Sequence, residues 1–339
     1  MLEIDLKQPG VSIRAVRADD HFKGLETVRS MARRFPGPGR AVAAVNGDFF
    51  NIKTGESENN VVIEGNLLKG ETITDSPYDT FNNVHSQFGV GWNNRPVIDR
   101  FVFAGRARVR GGLAHALDAL NFWPGGNSLV LYTPGFGDST AVDSIGAPRL
   151  SLQLRRDRGS GDTLLFTVVG RPELKKLSLA QGGALVASGS RRTELTQFQP
   201  GRTVRVILGL TPAHPRLRTL VGGWPRIIVH GKGVANAADP LEGTFPRFSS
   251  VRHPRTAIGF SRDSSKVFLV AVDGRRESGV GMSLTELSRL MLTLGAFEAM
   301  NLDGGGSTTM VVNGEVVNSP SDKTGERAVG SALLVVVDP

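Results

Sequence analysis

Asp303, Gly304, Gly305, Gly306, Ser307, Thr308 and Thr309 stand in a row between two apolar runs. Glycine has no Cβ, so a ligand can approach such a main chain closely. Successive amides can form an anion-binding nest, flanked here by the hydroxyls of Ser307 and Thr308. Asp303 adds a carboxylate. A tight structural turn is the competing explanation. The cluster is not a nucleotide-binding P-loop, because no Lys follows the glycines.

Five more stretches carry chemistry-bearing residues. Asn46 and Asp48 end one apolar run in VNGDFF, where an Asn-Gly-Asp turn anchored by Phe49 and Phe50 is the alternative. His253 and Arg255 flank Pro254, and Arg255 could fork onto a phosphate or pair with a buried acid. Asp273 and Arg275 lie in VDGR, and Glu326 and Arg327 precede the last apolar run. Arg226 follows the pair Gly222-Gly223. The Asp273/Arg275 and Glu326/Arg327 pairs, taken alone, read more often as a turn or a surface ion pair, and Arg226 alone is a weak signal.

Other chemistries are missing from the sequence. No His-Glu-x-x-His, Gly-x-Ser-x-Gly, helix-opening Gly-x-Gly-x-x-Gly or EF-hand loop occurs. The six histidines are scattered, and there is no cysteine, which excludes disulfides and thiolate chemistry.

The elements that position these residues repeat. VVIEGNLL (61–68), RIIVHGKGV (226–234) and MVVNGEVV (310–317) each place an X-Gly pair between strand-like runs, the signature of a tight hairpin. Two segments, 25–34 and 284–295, read as helices. In the second, Ser283 and Glu286 predict a capping box and Gly295 a stop. Each helix precedes an apolar strand that ends in a polar, Gly-containing cluster. These features predict an α+β fold: a strand-rich pseudo-symmetric core with many hairpins and a few helices, its two clusters near each other. Chance similarity of short Gly-turn segments is the alternative to the symmetry. The expected core is 1–104 with 221–339, interrupted by a β-rich basic subdomain over 105–220.

Charge follows that division. Residues 150–218 hold twelve Lys/Arg against four acids, so this segment alone accounts for the net charge of +8. A solvated basic surface and attraction to an anionic polymer, such as a phosphate-bearing glycan, both fit. Nucleic acid is disfavoured, because aromatics are not interleaved with the basic residues. No apolar run approaches about 18 residues, so no membrane span is expected. The opening MLEIDLKQPGVSIRAV reads as strand, Pro-Gly turn and strand rather than as a signal peptide. The expected location is extracellular or cell envelope, with any leader outside this sequence.

In this order, AAVNGDFF, GGWPRIIVHG, VRHPRTAIGF, VDGR, GMSLTEL, NLDGGGSTTMVVNG and NSP…ERAVGSALLV resemble the phosphodiester glycosidase family. LVLYTPGFGDST (129–140) also resembles a segment of bacterial members. Animal members carry disulfides and a membrane anchor, so the resemblance reaches only the catalytic domain. It implies a hydrolase that cleaves a glycosyl phosphodiester to free sugar and phosphomonoester, on a bacterial envelope or capsule glycan. The implied catalytic residues are Asp303, Asp48, His253 and Asp273. The implied substrate-binding residues are Asn46, Arg226, Arg255, Arg275, Gly304, Gly305, Gly306, Ser307, Thr308 and Arg327.

The residue types suit that chemistry. A sugar phosphate leaves as a stabilised anion, so the site must mainly bind phosphate charge and stabilise an oxocarbenium-like sugar. Asp303 is the expected nucleophile or base and Asp48 the second acid. Arg255 and Arg275 hold the phosphate, and His253 is an acid/base or a donor to it. No cofactor is required, although a divalent metal bridging Asp48 and Asp303 is compatible with the pair. Whether C–O or P–O breaks, and the anomeric outcome, stay open. Two other functions remain: a glycan hydrolase or lyase acting on a non-phosphorylated polysaccharide, and a non-catalytic glycan-binding protein.

Overall fold

The computed structural model describes residues 1–73, 85–141, 149–160, 162–214, 216–235, 242, 244, 246–277 and 279–338. Two compact units emerge. One comprises 1–64, 74–100 and 215–339, the other 65–73 and 101–214.

The first unit is built on two antiparallel sheets with the same plan. One runs Val11–Arg17, Ser331–Val337, Arg40–Asn46, Met310–Val312, Glu315–Val316. The other runs Leu2–Asp5, Lys266–Val272, Arg255–Phe260, Glu298–Asn301, Arg226–Val229, Lys232–Gly233. In each, a helix precedes the central strand and a tight hairpin flanks it. The hairpin turns His230-Gly231 and Asn313-Gly314 take positive φ at both residues, as a two-residue turn of the right twist needs.

Alternation along the strands decides the packing. Ile13, Val45 and Leu333 of one sheet share a core with Ile258, Leu269 and Met300 of the other. The helix Val28–Arg33 covers Ala44, Leu334 and Val336 on one outer face. The helix Leu284–Thr293 covers Ile227, Ala257 and Phe268 on the other through Leu284, Leu287 and Met291. Its capping box is present: Ser283 Oγ accepts from the Glu286 amide, and Glu286 Oε2 accepts from the Ser283 amide.

The α+β expectation is corrected by this architecture, which is mostly β: 46% strand against 12% helix. The physical reason is how the apolar faces are covered. The sheets bury their inner faces against each other, so each outer face needs only one short helix. The X-Gly turns join strand directly to strand elsewhere.

The second unit lays nine strands side by side, in the order Ala114–Leu117, Gly105–Val109, Thr203–Ile207, Thr163–Glu173, Leu150–Ser160, Gly182–Ala187, Leu129–Tyr132, Ala119–Leu120, Asn66–Glu71. Ala107, Val204, Val206, Leu164, Phe166, Leu152 and Leu154 bury one face. Among the described residues, no helix is long and apolar enough to cross a membrane.

Candidate functional site

The two central strands of the first unit both end in asparagine, at Asn46 and Asn301. Asn46 joins the sheets. Its Nδ2 donates to the Asp303 carbonyl at 2.6 Å, and its Oδ1 accepts from Thr256 Oγ1 at 2.7 Å and the Thr309 amide at 3.2 Å. The Asp303 amide donates to Gly47 O at 3.2 Å. Asn301 Nδ2 donates to Trp224 O. The turn after each strand is thereby locked against the other.

A pocket of about 480 Å³ opens over this junction. Asp303, Gly304, Gly305, His253, Arg255, Arg275 and Arg327 line it, so seven of the expected residues converge. Glu58, Arg247 and an apolar wall with Phe49, Phe50 and Phe248 complete it.

Asp303 accepts the Gly304 amide at 2.8 Å. Burial raises its pKa to about 6, against the opposing pull of the Ser307 hydroxyl, the Gly304 amide and the Arg327 charge. The carboxylate is therefore ionised at neutral pH, yet holds protons far more readily than an exposed Asp.

The glycines are needed for space. Gly305 has φ +61°, and a Cβ there would lie 3.3 Å from the Arg275 guanidinium. A Cβ on Gly304 would lie 2.8 Å from Pro254 O. The turn does not form a free anion nest, however. Gly304 donates to Asp303, Gly305 to Pro254 O, Ser307 to Gly304 O and Thr308 to Gly305 O. Once the turn closes its own hydrogen bonds, anion binding falls to the guanidiniums.

Those guanidiniums differ. Arg255 is buried, and its Nε donates to Met282 O at 3.0 Å. Its Nη2 donates to Phe248 O at 2.5 Å and Val251 O at 3.2 Å, and the group sits 4.9 Å over the Phe248 ring. Burial, then the charge of Arg275, lowers its pKa to about 10. Arg255 thus holds the segment that brings Arg247, Phe248 and Val251 to the pocket.

His253 is placed by the same segment: its Nε2 lies 3.4 Å from Arg247 O and its Nδ1 3.4 Å from Arg275 Nη2. An Nε2–H tautomer donating to the carbonyl and accepting from the guanidinium fits both contacts. Desolvation, then the charge of Arg255, lowers its pKa, so the ring is neutral at pH 7. Arg327 forks onto Asp322 at 2.7 and 3.0 Å.

The remaining expected residues sit outside the pocket lining. Asp48 is buried and accepts from Asn59 through both oxygens, at 3.0 and 2.8 Å. Asp273 accepts from Asn318 Nδ2 and the Ser319 amide, which fixes the turn beside Thr308. Arg226 donates its amide to the buried Glu242 at 2.7 Å, with its guanidinium 3.8 Å from the same carboxylate. Gly306, Ser307 and Thr308 are buried behind the turn. Among the described residues, no three His, Asp or Glu side chains converge as a metal site.

Sequence reasoning missed Glu58, Arg247 and Phe248. Phe49 and Phe50 were legible only as core anchors. Glu58 is placed by a loop whose return is set by its amide bonding to Phe49 O at 3.0 Å, a contact no local motif announces.

Comparison with known proteins locates these residues in a known group. The phosphodiester glycosidase family model matches residues 162–336, which include every expected site residue except Asn46 and Asp48. N-acetylglucosamine-1-phosphodiester alpha-N-acetylglucosaminidase of Mus musculus is 31% identical over 159 residues, covering 43% of this chain and 30% of the relative. The Bos taurus protein of that name is 44% identical over 156 residues, covering 40% and 29%. The match thus spans about a third of the length of these curated relatives. The crystal structure of a hypothetical protein from Synechocystis superposes with a TM-score of 0.79 over 99% of this chain and 58% of its own, at 22% identity, and so shares the fold. With the family model spanning over half of the sequence, the chain belongs to the phosphodiester glycosidase family.

Proposed function

We propose that the protein hydrolyses a glycosyl phosphodiester, sugar-C1–O–P–O–R, to free sugar and a phosphomonoester. The observation that carries this is the charge of the pocket. Four guanidiniums, of Arg247, Arg255, Arg275 and Arg327, line the pocket beside the carboxylates of Asp303 and Glu58, with Asp322 paired to Arg327 behind them. Arg275 also depresses the pKa of Arg255, as crowded cations do when an anion has yet to join them.

Arg275 and Arg327 hold the phosphate, lowering the energy of the negative charge that develops as the C1–O bond breaks. The bond's electron pair passes to a phosphate oxygen, a leaving group that needs no proton. Asp303 takes a proton from the attacking water, whose oxygen bonds to C1. Neutral His253 keeps Arg275 aimed at the phosphate. The aromatic wall of Phe49 and Phe248 packs against the sugar. The natural substrate in this proposal is a phosphate-bearing glycan of a bacterial envelope or capsule, met outside the cytoplasm.

The test is sugar release from a synthetic α-GlcNAc-1-phosphodiester in ¹⁸O-water, by wild type and Asp303→Asn, with and without EDTA. The proposal expects turnover, label in the sugar and loss in the variant. Full activity of Asp303→Asn, or label in the phosphate, overturns the mechanism. EDTA sensitivity would assign a metal to the reaction.

A further inference from the structure

The second unit buries one face of its sheet throughout; Val130, Tyr132, Ala184 and Val186 are buried on the opposite face as well, which is open to solvent over Gly105–Val109, Thr203–Ile207, Thr163–Glu173 and Leu150–Ser160. Four strands carry that open face side by side in register. Arg108 stands opposite Arg205, Arg205 opposite Leu165, and Leu165 opposite Arg158. Paired residues share a face, so three arginines lie in one row across four strands. Arg106 adds a fourth, two residues from Arg108 on the same strand and opposite Ile207. All four arginines are exposed, while their strand neighbours Ala107, Val204 and Val206 are buried.

Like charges directly opposite on adjacent strands destabilise a sheet. Native sheets usually answer such a row with an acid. None of these four arginines has a carboxylate partner among the described residues. The one polar tie is Arg108 Nε to Gly112 O at 2.8 Å. Asp157 is bound to Thr167 Oγ1 and lies 3.7 Å from Arg155. Arg191, by contrast, is consumed by Asp118 and Glu194, so the basic segment is not uniformly unpaired.

We infer that this arginine face binds a linear anionic glycan whose repeats are joined by phosphodiesters. Strands about 4.8 Å apart and alternate residues about 7 Å apart set guanidiniums in a two-dimensional grid. A flexible chain of regularly spaced phosphates can meet several at once, each through a forked hydrogen bond. The neighbours on the face are Ala114, Ala116, Leu165, Ile207, Thr163 and Thr203, with no aromatic on which a base could stack. That favours a phosphate polymer over a single-stranded nucleic acid. The inference concerns binding and stands whether or not the pocket hydrolyses the substrate proposed above.

The experiment measures the affinity of the whole protein for poly(glycerol phosphate), dextran and poly-dT across a salt series. It uses wild type and the triple variant Arg108→Gln, Arg158→Gln, Arg205→Gln. Poly(glycerol phosphate) should bind with a steep salt dependence, and dextran should not bind. At about 0.7 per contact for a single-stranded polyanion, three lost contacts should cut the slope of log K against log salt by about two. The variant should melt no lower than wild type, because it removes like-charge opposition. Unchanged binding in the variant, or none in wild type, overturns the inference. Equal or tighter binding of poly-dT, with the same loss in the variant, overturns the choice of a glycan.

Discussion

Replacing Asp303 with Asn should stabilise the protein while abolishing its activity. Asp303 has an ordinary pKa of 3.8, raised to about 6 in the fold by burial. An acid whose folded pKa lies above its unfolded pKa binds its proton more tightly when folded. Ionising it therefore costs stability, and the cost develops between about pH 4 and pH 6. A rise of that size corresponds to about 3 kcal/mol, but Asp303 is only half-buried where it meets the pocket, so solvent screening leaves about 1–2 kcal/mol. Asn at this position retains an oxygen for the Gly304 amide and carries no charge. Urea unfolding followed by tryptophan fluorescence, with Trp224 buried in the same unit, should show the variant more stable by that amount at pH 7. At pH 4 the two proteins should be nearly equal. A variant less stable than wild type at pH 7, or a difference that does not change with pH, would refute the claim that Asp303 is held in a desolvated, strained ionisation state.

Three further outcomes follow from the same geometry. If Asp303 takes the proton from water, kcat/KM in wild type should rise with pH through about 6 and then level off; a flat profile from pH 5 to 8 would remove Asp303 from that role. Gly306→Ala directs a Cβ onto the Arg327 guanidinium and the Asp322 carboxylate, both mobile ends of side chains. That variant should fold with little loss of melting temperature and lose at least tenfold in kcat/KM through displaced Arg327; wild-type kinetics would contradict this. Arg255→Lys keeps the charge but cannot reach three carbonyls at once. It should cost about 3 kcal/mol of stability and raise KM as the wall of Arg247, Phe248 and Val251 loosens; a selective fall in kcat at unchanged stability would instead mark Arg255 as a direct phosphate ligand.

Much of the site was legible because its residues lie in unbroken strings. A strand ending in Asp303 and three glycines, and a Pro-braced pair of His253 and Arg255, need no tertiary information to be noticed. The hairpins were equally local: Glu64-Gly65, His230-Gly231 and Asn313-Gly314 all take the positive φ their turns require. The capping box at Ser283 and Glu286 is set by contacts three residues apart.

What the sequence could not decide was the use of each group. Arg255 and Arg275 carry the same side chain, yet one spends its donors on backbone carbonyls and the other is left to face the pocket. That difference depends on where the chain turns at 247–251 and at Met282. Asp48 and Asp303 look equivalent at two strand ends, but Asn59 engages both oxygens of one while a pocket opens beside the other. The balance of α and β also lay beyond local pattern, because it turned on two sheets covering each other's inner faces. Residue type and spacing therefore determined which groups this protein has for chemistry. Tertiary structure alone decided which are free to perform it, because burial and hydrogen-bond partners come from segments far apart in the chain.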